Sequence, residues 1–240
     1  MQKIQNKKLT IQDGFCYIGG DNIIKAVIFD MDGLMFDTEK LWEESFIKVG
    51  NSLGYPVTAD VHNKTICTNI YQMKEILLNI FGKDFPFDKF REGTSKYMDN
   101  YIINKGIIVK HGLYNLLDYL KNNNYKIAIA SSSEKAMIYR NLKSANIDKA
   151  IFDVIVSGED FKEGKPSPDI YLKTCELLNI EPSSSLVLED ANNGIIAGYK
   201  AGCTTCLIPD IDRITDETKE MADYELSGLD EVVVVLDNRR

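Results

Sequence analysis

Apolar positions along the chain change their period twice. Ala26–Phe29 is an unbroken apolar run with β-branched members, the pattern of a strand buried on both faces. After Thr38 the spacing becomes helical. Trp42, Phe46, Val49 and Leu53 step by four, three and four along one amphipathic face, which Gly54-Tyr55-Pro56 ends. Met73, Leu77 and Ile80 repeat the step up to Gly82, and Phe90, Thr94, Tyr97 and Tyr101 repeat it before Gly106. Residues 39–105 therefore read as a small all-helical unit whose aromatic stripes form its own core.

From about Lys110 helices and strands alternate. A helix at Leu113–Asn122 leads to the run Ile127–Ala130, and a helix with Ile138, Leu142 and Ala145 on one face leads to Val154–Val156. Pro168 opens the next helix, with Ser167 as its N-cap and Tyr171, Cys175 and Leu178 inward. Leu186–Leu188 is a strand, Asn193–Ala201 a helix closed by Gly202, and Thr204–Ile208 another strand. A last strand and helix fall within Ala222–Asp237. This alternation makes a doubly wound parallel sheet, an α/β fold. The first strand belongs to that sheet, because alone it has nothing to pair with. The expected organisation is an N-terminal extension at 1–24, an α/β core of 25–38 and 106–240, and a helical cap of 39–105 inserted after the first strand.

Composition narrows the function classes. Apolar content of 44% and charged content of 27% are ordinary for a globular chain of 240 residues. The net charge of −8, with no basic stripe, argues against nucleic acid and anionic membranes as partners. No stretch reaches the roughly 20 apolar residues that span a bilayer, and Met1–Asn22 lacks the apolar core of a secretory signal. The five cysteines are scattered and odd in number, which points to a reducing, cytoplasmic compartment rather than a disulfide framework. Cys203 and Cys206 have C-x-x-C spacing but no second pair to complete a metal site. The expected state is a monomer.

Candidate chemistry gathers at the ends of the strands, where open parallel sheets place their sites. The first strand ends in Asp30, with Asp32 and Gly33 directly behind. The later strands end in Ser131, in Gly158 with Lys165 shortly after, and in Glu189-Asp190. Carboxylates gathered in one crevice raise one another's pKa, a conflict that a divalent cation removes. Oxygen donors without His or Cys suit Mg²⁺. With a cation and a lysine present, the crevice can accept a phosphate. One carboxylate could then attack phosphorus while the other exchanges a proton with the leaving oxygen and with water. The two histidines, His62 and His111, lie away from these strand ends, so a histidine-based triad has little support.

FDMDGL at Phe29–Leu34, the strand end at Ser131, GKPSPD at Gly164–Asp169 and LEDANNG at Leu188–Gly194 resemble the four motifs of the haloacid dehalogenase superfamily. Their order and surroundings resemble its β-phosphoglucomutase-like branch, and within it the sugar-phosphate phosphatases. The resemblance implies a Rossmann-like core, with Asp30 as nucleophile and Asp32 as general acid/base. It implies that Ser131 and Lys165 hold the transferring phosphoryl group. Mg²⁺ would be bound by the carboxylates of Asp30 and Asp190 and the backbone carbonyl of Asp32, with Glu189 in the same shell. Thr38 would help orient the acid.

The expected activity is a Mg²⁺-dependent phosphatase acting on a small phosphorylated metabolite, a sugar or polyol phosphate. The alternative is a sugar-phosphate mutase, but mutases of that branch carry a His where this chain has Trp42. A dehalogenase has no need of Asp32, and a non-catalytic module would be expected to have lost one of the acids. The segment around Lys64–Asn69 is expected to face the crevice, which makes Lys64, Thr68 and Asn69 candidate substrate contacts.

Overall fold

The computed structural model describes residues 23–66, 68–210 and 214–239. The extension expected at 1–24 lies outside them up to residue 22, as do Cys16 and Cys67.

The described elements begin with β1 (Ala26–Phe29), followed by four helices, α1 (Glu39–Ser52), α2 (Ala59–Asn63), α3 (Ile70–Phe81) and α4 (Phe87–Lys105). They then alternate through α5 (Leu113–Asn122), β2 (Lys126–Ser131), α6 (Lys135–Ser144), β3 (Val154–Ser157), α7 (Asp169–Leu178), β4 (Ser185–Glu189), α8 (Asn192–Ala201) and β5 (Thr204–Leu207). They end with α9 (Asp216–Met221), β6 (Tyr224–Glu225) and α10 (Val232–Asp237). The six strands form one parallel sheet in the order β3-β2-β1-β4-β5-β6. The doubly wound α/β core is as expected.

Side chains alternate strictly across the sheet. Val27, Phe29, Ile127, Ile129, Leu186 and Leu188 enter one core, covered by α5, α6 and α10. Ala26, Ile28, Ala128, Ala130 and Val187 enter the other, against Ile170, Tyr171 and Cys175 of α7 and Ala197 of α8. The alanines on this second face let α7 and α8 lie close to the strands, bringing their first turns toward the site. Order 3-2-1-4-5-6 reverses direction between β1 and β4. That is the switch point at which a crevice opens beyond the carboxyl ends of the strands.

The four helices after β1 have their own apolar centre, Phe46, Val57, Leu77, Phe85, Phe87 and Phe90. On α4 the inward face departs from the expected stripe. Phe90 and Thr94 are buried, but Met98 and Ile102 continue the face, while Tyr101 is exposed. A constant step of four after Thr94 selects these positions. Tyr97 instead turns its hydroxyl to Glu44 on α1. Ser167 is not an N-cap: α7 starts one residue later, Pro168 occupies the cap position, and the Ser167 hydroxyl bonds Asp169 Oδ2. The short helices α2 and α9 lack enough turns for a periodicity to register.

Cys203 and Cys206 diverge. Cys203 faces Cys175, Sγ to Sγ 4.0 Å, while Cys206 sits in the opposite core. Among the described residues, no helix is long and apolar enough to cross a membrane.

Candidate active site

Asp30 follows β1 directly, and its N–H donates to the Leu188 carbonyl on β4, which fixes it across the switch point from Glu189 and Asp190. The chain then turns through Gly33, whose φ of +86° only glycine adopts without strain. A Cβ at Gly33 would also overlap the Asp190 carboxylate, so this turn packs directly on the second acid. One ligand oxygen from each of Asp30, Glu189 and Asp190 lies within 4.8 Å of the others.

Lys165 reaches this cluster from the segment ahead of α7 and is almost wholly buried. Its Nζ donates to Asp30 Oδ1 at 2.6 Å, to Glu189 Oε1 at 2.6 Å and to the Ala130 carbonyl at 3.0 Å. These engage all three ammonium protons. The Tyr171 hydroxyl also donates to Glu189 Oε1, and the Tyr171 ring centroid lies 5.0 Å from Nζ. Nothing in the sequence pattern distinguished Tyr171 from an ordinary inward residue of α7. Its buried phenol is understandable only once Glu189 stands beside it.

Three buried carboxylates stand together with one buried ammonium that, of the three, bonds only Asp30 and Glu189, an unbalanced set in a medium that penalises charge. Burial, followed by the charges of Glu189 and Asp32, outweighs Lys165 and raises the Asp30 pKa to about 8. Burial and the neighbouring charges of Asp30 and Glu189 push Asp190 well up as well. Burial pulls Lys165 down, but Asp30 and Glu189 overcome it and hold its pKa above the ordinary lysine value. Among the described residues, Glu189 Oε2 and Asp190 Oδ1 are buried without a hydrogen-bond partner. Two unpaired carboxyl oxygens beside a third carboxyl group are a hard-donor set, and they fit a small divalent cation such as Mg²⁺.

Asp32 is held differently. Thr38 Oγ1 donates to its Oδ1 at 2.7 Å and Ser133 Oγ to its Oδ2 at 2.6 Å. Ser131, at the end of β2, accepts from the Ser133 N–H, and Ser157 Oγ on β3 donates to the Ser133 carbonyl. Asp30, Asp32 and Ser131 open into a pocket roofed by Trp42, Phe46, His62 and Met73 of the helical unit.

Of the three segment residues expected at the crevice, Thr68 lines this pocket. Lys64 lies outside it, exposed at the end of α2, where its ammonium is solvated. Asn69 is fully buried as the N-cap of α3, in a capping box with Gln72, and its Nδ2 donates to the Phe161 carbonyl. Its amide is engaged in holding α3 to the loop that precedes Lys165. His62 is the reverse case, set aside in the sequence yet packed edge-on to Phe46 in the pocket roof.

The family description "haloacid dehalogenase-like hydrolase" matches residues 27–208. The chain belongs to that family. A Thermotoga maritima protein named phosphorylated carbohydrates phosphatase is 31% identical over 179 residues, 75% of this chain and 82% of that protein. The β-phosphoglucomutase of Bacillus subtilis is 31% identical over 186 residues, 75% of this chain and 80% of that protein. In fold, the chain resembles CbbY from Rhodobacter sphaeroides, whose crystal structure is a complex with phosphate. The TM-score is 0.79 at 24% identity, covering 90% of this chain and 100% of the other. The haloacid dehalogenase family read from four motifs is therefore borne out, and with it the class of phosphoric monoester hydrolase.

Proposed function

We propose that this protein is a Mg²⁺-dependent phosphatase of a small phosphorylated metabolite, a sugar or polyol phosphate, working through an aspartyl-phosphate. The observation that carries this reading is the meeting of Asp30, Glu189, Asp190 and Lys165 at the switch point, with Asp32 tethered beside them. Residues 39–105 act as a cap over a core of 25–38 and 106–240. The enzyme acts in the cytoplasm, as a monomer.

Asp30 is the nucleophile: its carboxylate attacks phosphorus as the bond to the leaving oxygen breaks. Asp32 gives that oxygen a proton. Once the alcohol has left, Asp32 takes a proton from a water that attacks the aspartyl-phosphate and releases inorganic phosphate. Ser131 and Lys165 hold the phosphoryl group, and Lys165 also aims the Asp30 carboxylate through its 2.6 Å hydrogen bond. Asp30, Glu189 and Asp190, with the Asp32 carbonyl, would hold Mg²⁺, which supplies positive charge to the carboxylates and to the transferring phosphoryl group.

A mutase needs the alcohol retained and rephosphorylated. Trp42 stands in the pocket roof where the mutase branch carries a His, which favours hydrolysis. A panel of sugar and polyol phosphates, with and without Mg²⁺, decides: free phosphate released only with Mg²⁺ supports the phosphatase, and an isomerised ester without release supports the mutase.

A further inference from the structure

The phosphatase reading names a sugar or polyol phosphate but not the residues that recognise its alcohol half, and the pocket around that half is specific. Three threonines line it, and each uses its single proton on a neighbouring backbone carbonyl. Thr65 Oγ1 donates to His62 O at 2.7 Å, Thr68 Oγ1 to Thr65 O at 2.6 Å and Thr94 Oγ1 to Arg91 O at 2.9 Å. Their oxygens retain only acceptor capacity toward a ligand. Such a wall suits a partner that donates hydrogen bonds, as alcohol hydroxyls do. It offers nothing to a carboxylate or a second phosphate, which only accept.

The charges agree. Among the described residues lining the pocket, Arg91 is the one lysine or arginine, against Asp30, Asp32, Glu39 and Glu134. Arg91, on α4, is already occupied. Its Nε donates to Glu134 Oε1 at 2.6 Å and a terminal nitrogen meets Glu134 Oε2, a two-pronged pair between the helical unit and the loop after β2. Glu134 thereby cancels the one cation that could receive a distal anion.

We propose that the Arg91–Glu134 pair and the three capped threonines select a phosphate monoester whose alcohol portion is uncharged and rich in hydroxyls. Bisphosphates and phosphorylated carboxylic acids are refused. The inference rests on the phosphatase reading and assigns the selectivity to residues that do no chemistry.

The test compares kcat/KM for sorbitol 6-phosphate, phosphoglycolate and fructose 1,6-bisphosphate, with para-nitrophenyl phosphate as a generic ester. The wild-type enzyme is expected to prefer sorbitol 6-phosphate by about tenfold or more, the worth of one charge-assisted hydrogen bond. Glu134→Gln frees Arg91 and is expected to shrink that preference about tenfold. Arg91→Met leaves Glu134 unopposed and is expected to widen it. Opposite shifts from the two variants separate charge selection from simple damage to the fold. Equal or greater efficiency on either anionic-tailed ester in the wild type, or a preference unmoved by both variants, overturns the inference and leaves the phosphatase standing. Phosphate release from none of the four esters overturns both.

Discussion

Ser133 and Asp32 are 101 positions apart in the chain, yet the Ser133 hydroxyl donates to Asp32 Oδ2 at 2.6 Å. Thr38 holds the other oxygen, so both lone-pair edges of this carboxylate are fixed by neutral hydroxyls rather than by a cation. Ser133→Ala and Thr38→Val each free one edge. Each is expected to lower kcat by about tenfold, a fraction of the 10²–10⁴ typical of a positioned acid/base, and to leave KM little changed. Steady-state kinetics of the single and double variants checks this. An additive double variant would show that the two hydroxyls orient Asp32 independently.

Under the proposed assignment, the two acids of the first motif separate by chemistry. Asp30→Asn removes the attacking oxygen and is expected to abolish turnover. Asp32→Asn leaves a nucleophile without its proton donor and is expected to lose roughly 10²–10⁴ in rate. Acid quenching with labelled ester distinguishes them: protein-bound phosphate is expected in Asp32→Asn and none in Asp30→Asn.

Much of this site was legible because its residues sit at the ends of apolar runs, and a run's end needs no tertiary information to find. Asp30, Ser131 and Glu189-Asp190 fall where β1, β2 and β4 stop. Lys165 is legible from the GKPSPD motif at Gly164–Asp169. The rest of the site is made by contacts between distant segments. Tyr171 differs from any inward aromatic only through Glu189, and Ser133 from a loop serine only through Asp32. His62 reaches the pocket roof because the five-residue α2, too short for a period to register, turns it inward. Asn69, expected at the crevice, lies outside the pocket lining with its amide engaged elsewhere, for a related reason. Asn is a good cap and a good ligand, and only the fold shows which of its hydrogen bonds are taken.

Metal and pH act together on stability. A carboxyl with a higher pKa in the fold than in the open chain binds its proton more tightly when folded. Asp30 and Asp190 are of this kind, so the metal-free fold is expected to lose stability as pH rises from the ordinary carboxylate range toward the Asp30 value of about 8. Lys165, raised by the same neighbours, stays charged throughout that window and does not alter the slope. Mg²⁺ at about 100 times its Kd should add about 2.7 kcal/mol. The rise in Tm with Mg²⁺ is expected to be larger near pH 8 than near pH 5, as thermal melts with and without EDTA would show. An equal rise at both values would count against carboxylates as the ligands.

Asn69 separates a helix cap from a bridge between segments. Its Oδ1 accepts from the N–H groups of Tyr71 and Gln72, while its Nδ2 donates to Phe161 O at 2.8 Å. Asn69→Asp keeps the cap, since Asp caps as well as Asn, but replaces the donor with an anion facing a carbonyl. Asn69→Ala loses both, including about 1 kcal/mol from the cap. Both variants are expected to unfold at lower denaturant. In Asn69→Asp, hydrogen exchange should quicken around residues 159–164 while α3 stays protected; quickening confined to α3 would place the weight on the cap instead.

Gly194 sets local propensity against the site. It lies inside α8, where alanine would ordinarily stabilise a helix by up to about 1 kcal/mol. A Cβ there would overlap the Glu189 carboxylate. Glu189 cannot retreat without leaving Lys165 and Tyr171, so the methyl group must displace either α8 or the acid. Gly194→Ala is therefore expected to lower the melting temperature despite its better propensity, to weaken the Mg²⁺-dependent rise, and to cut kcat. Gly202→Ala is the comparison: it closes the same helix at φ +78° with nothing within 4 Å of its Cβ. That change should cost stability through backbone strain alone and leave the response to Mg²⁺ intact. If both variants kept a normal Mg²⁺ response, the close approach of α8 to Glu189 would have no part in holding the cation.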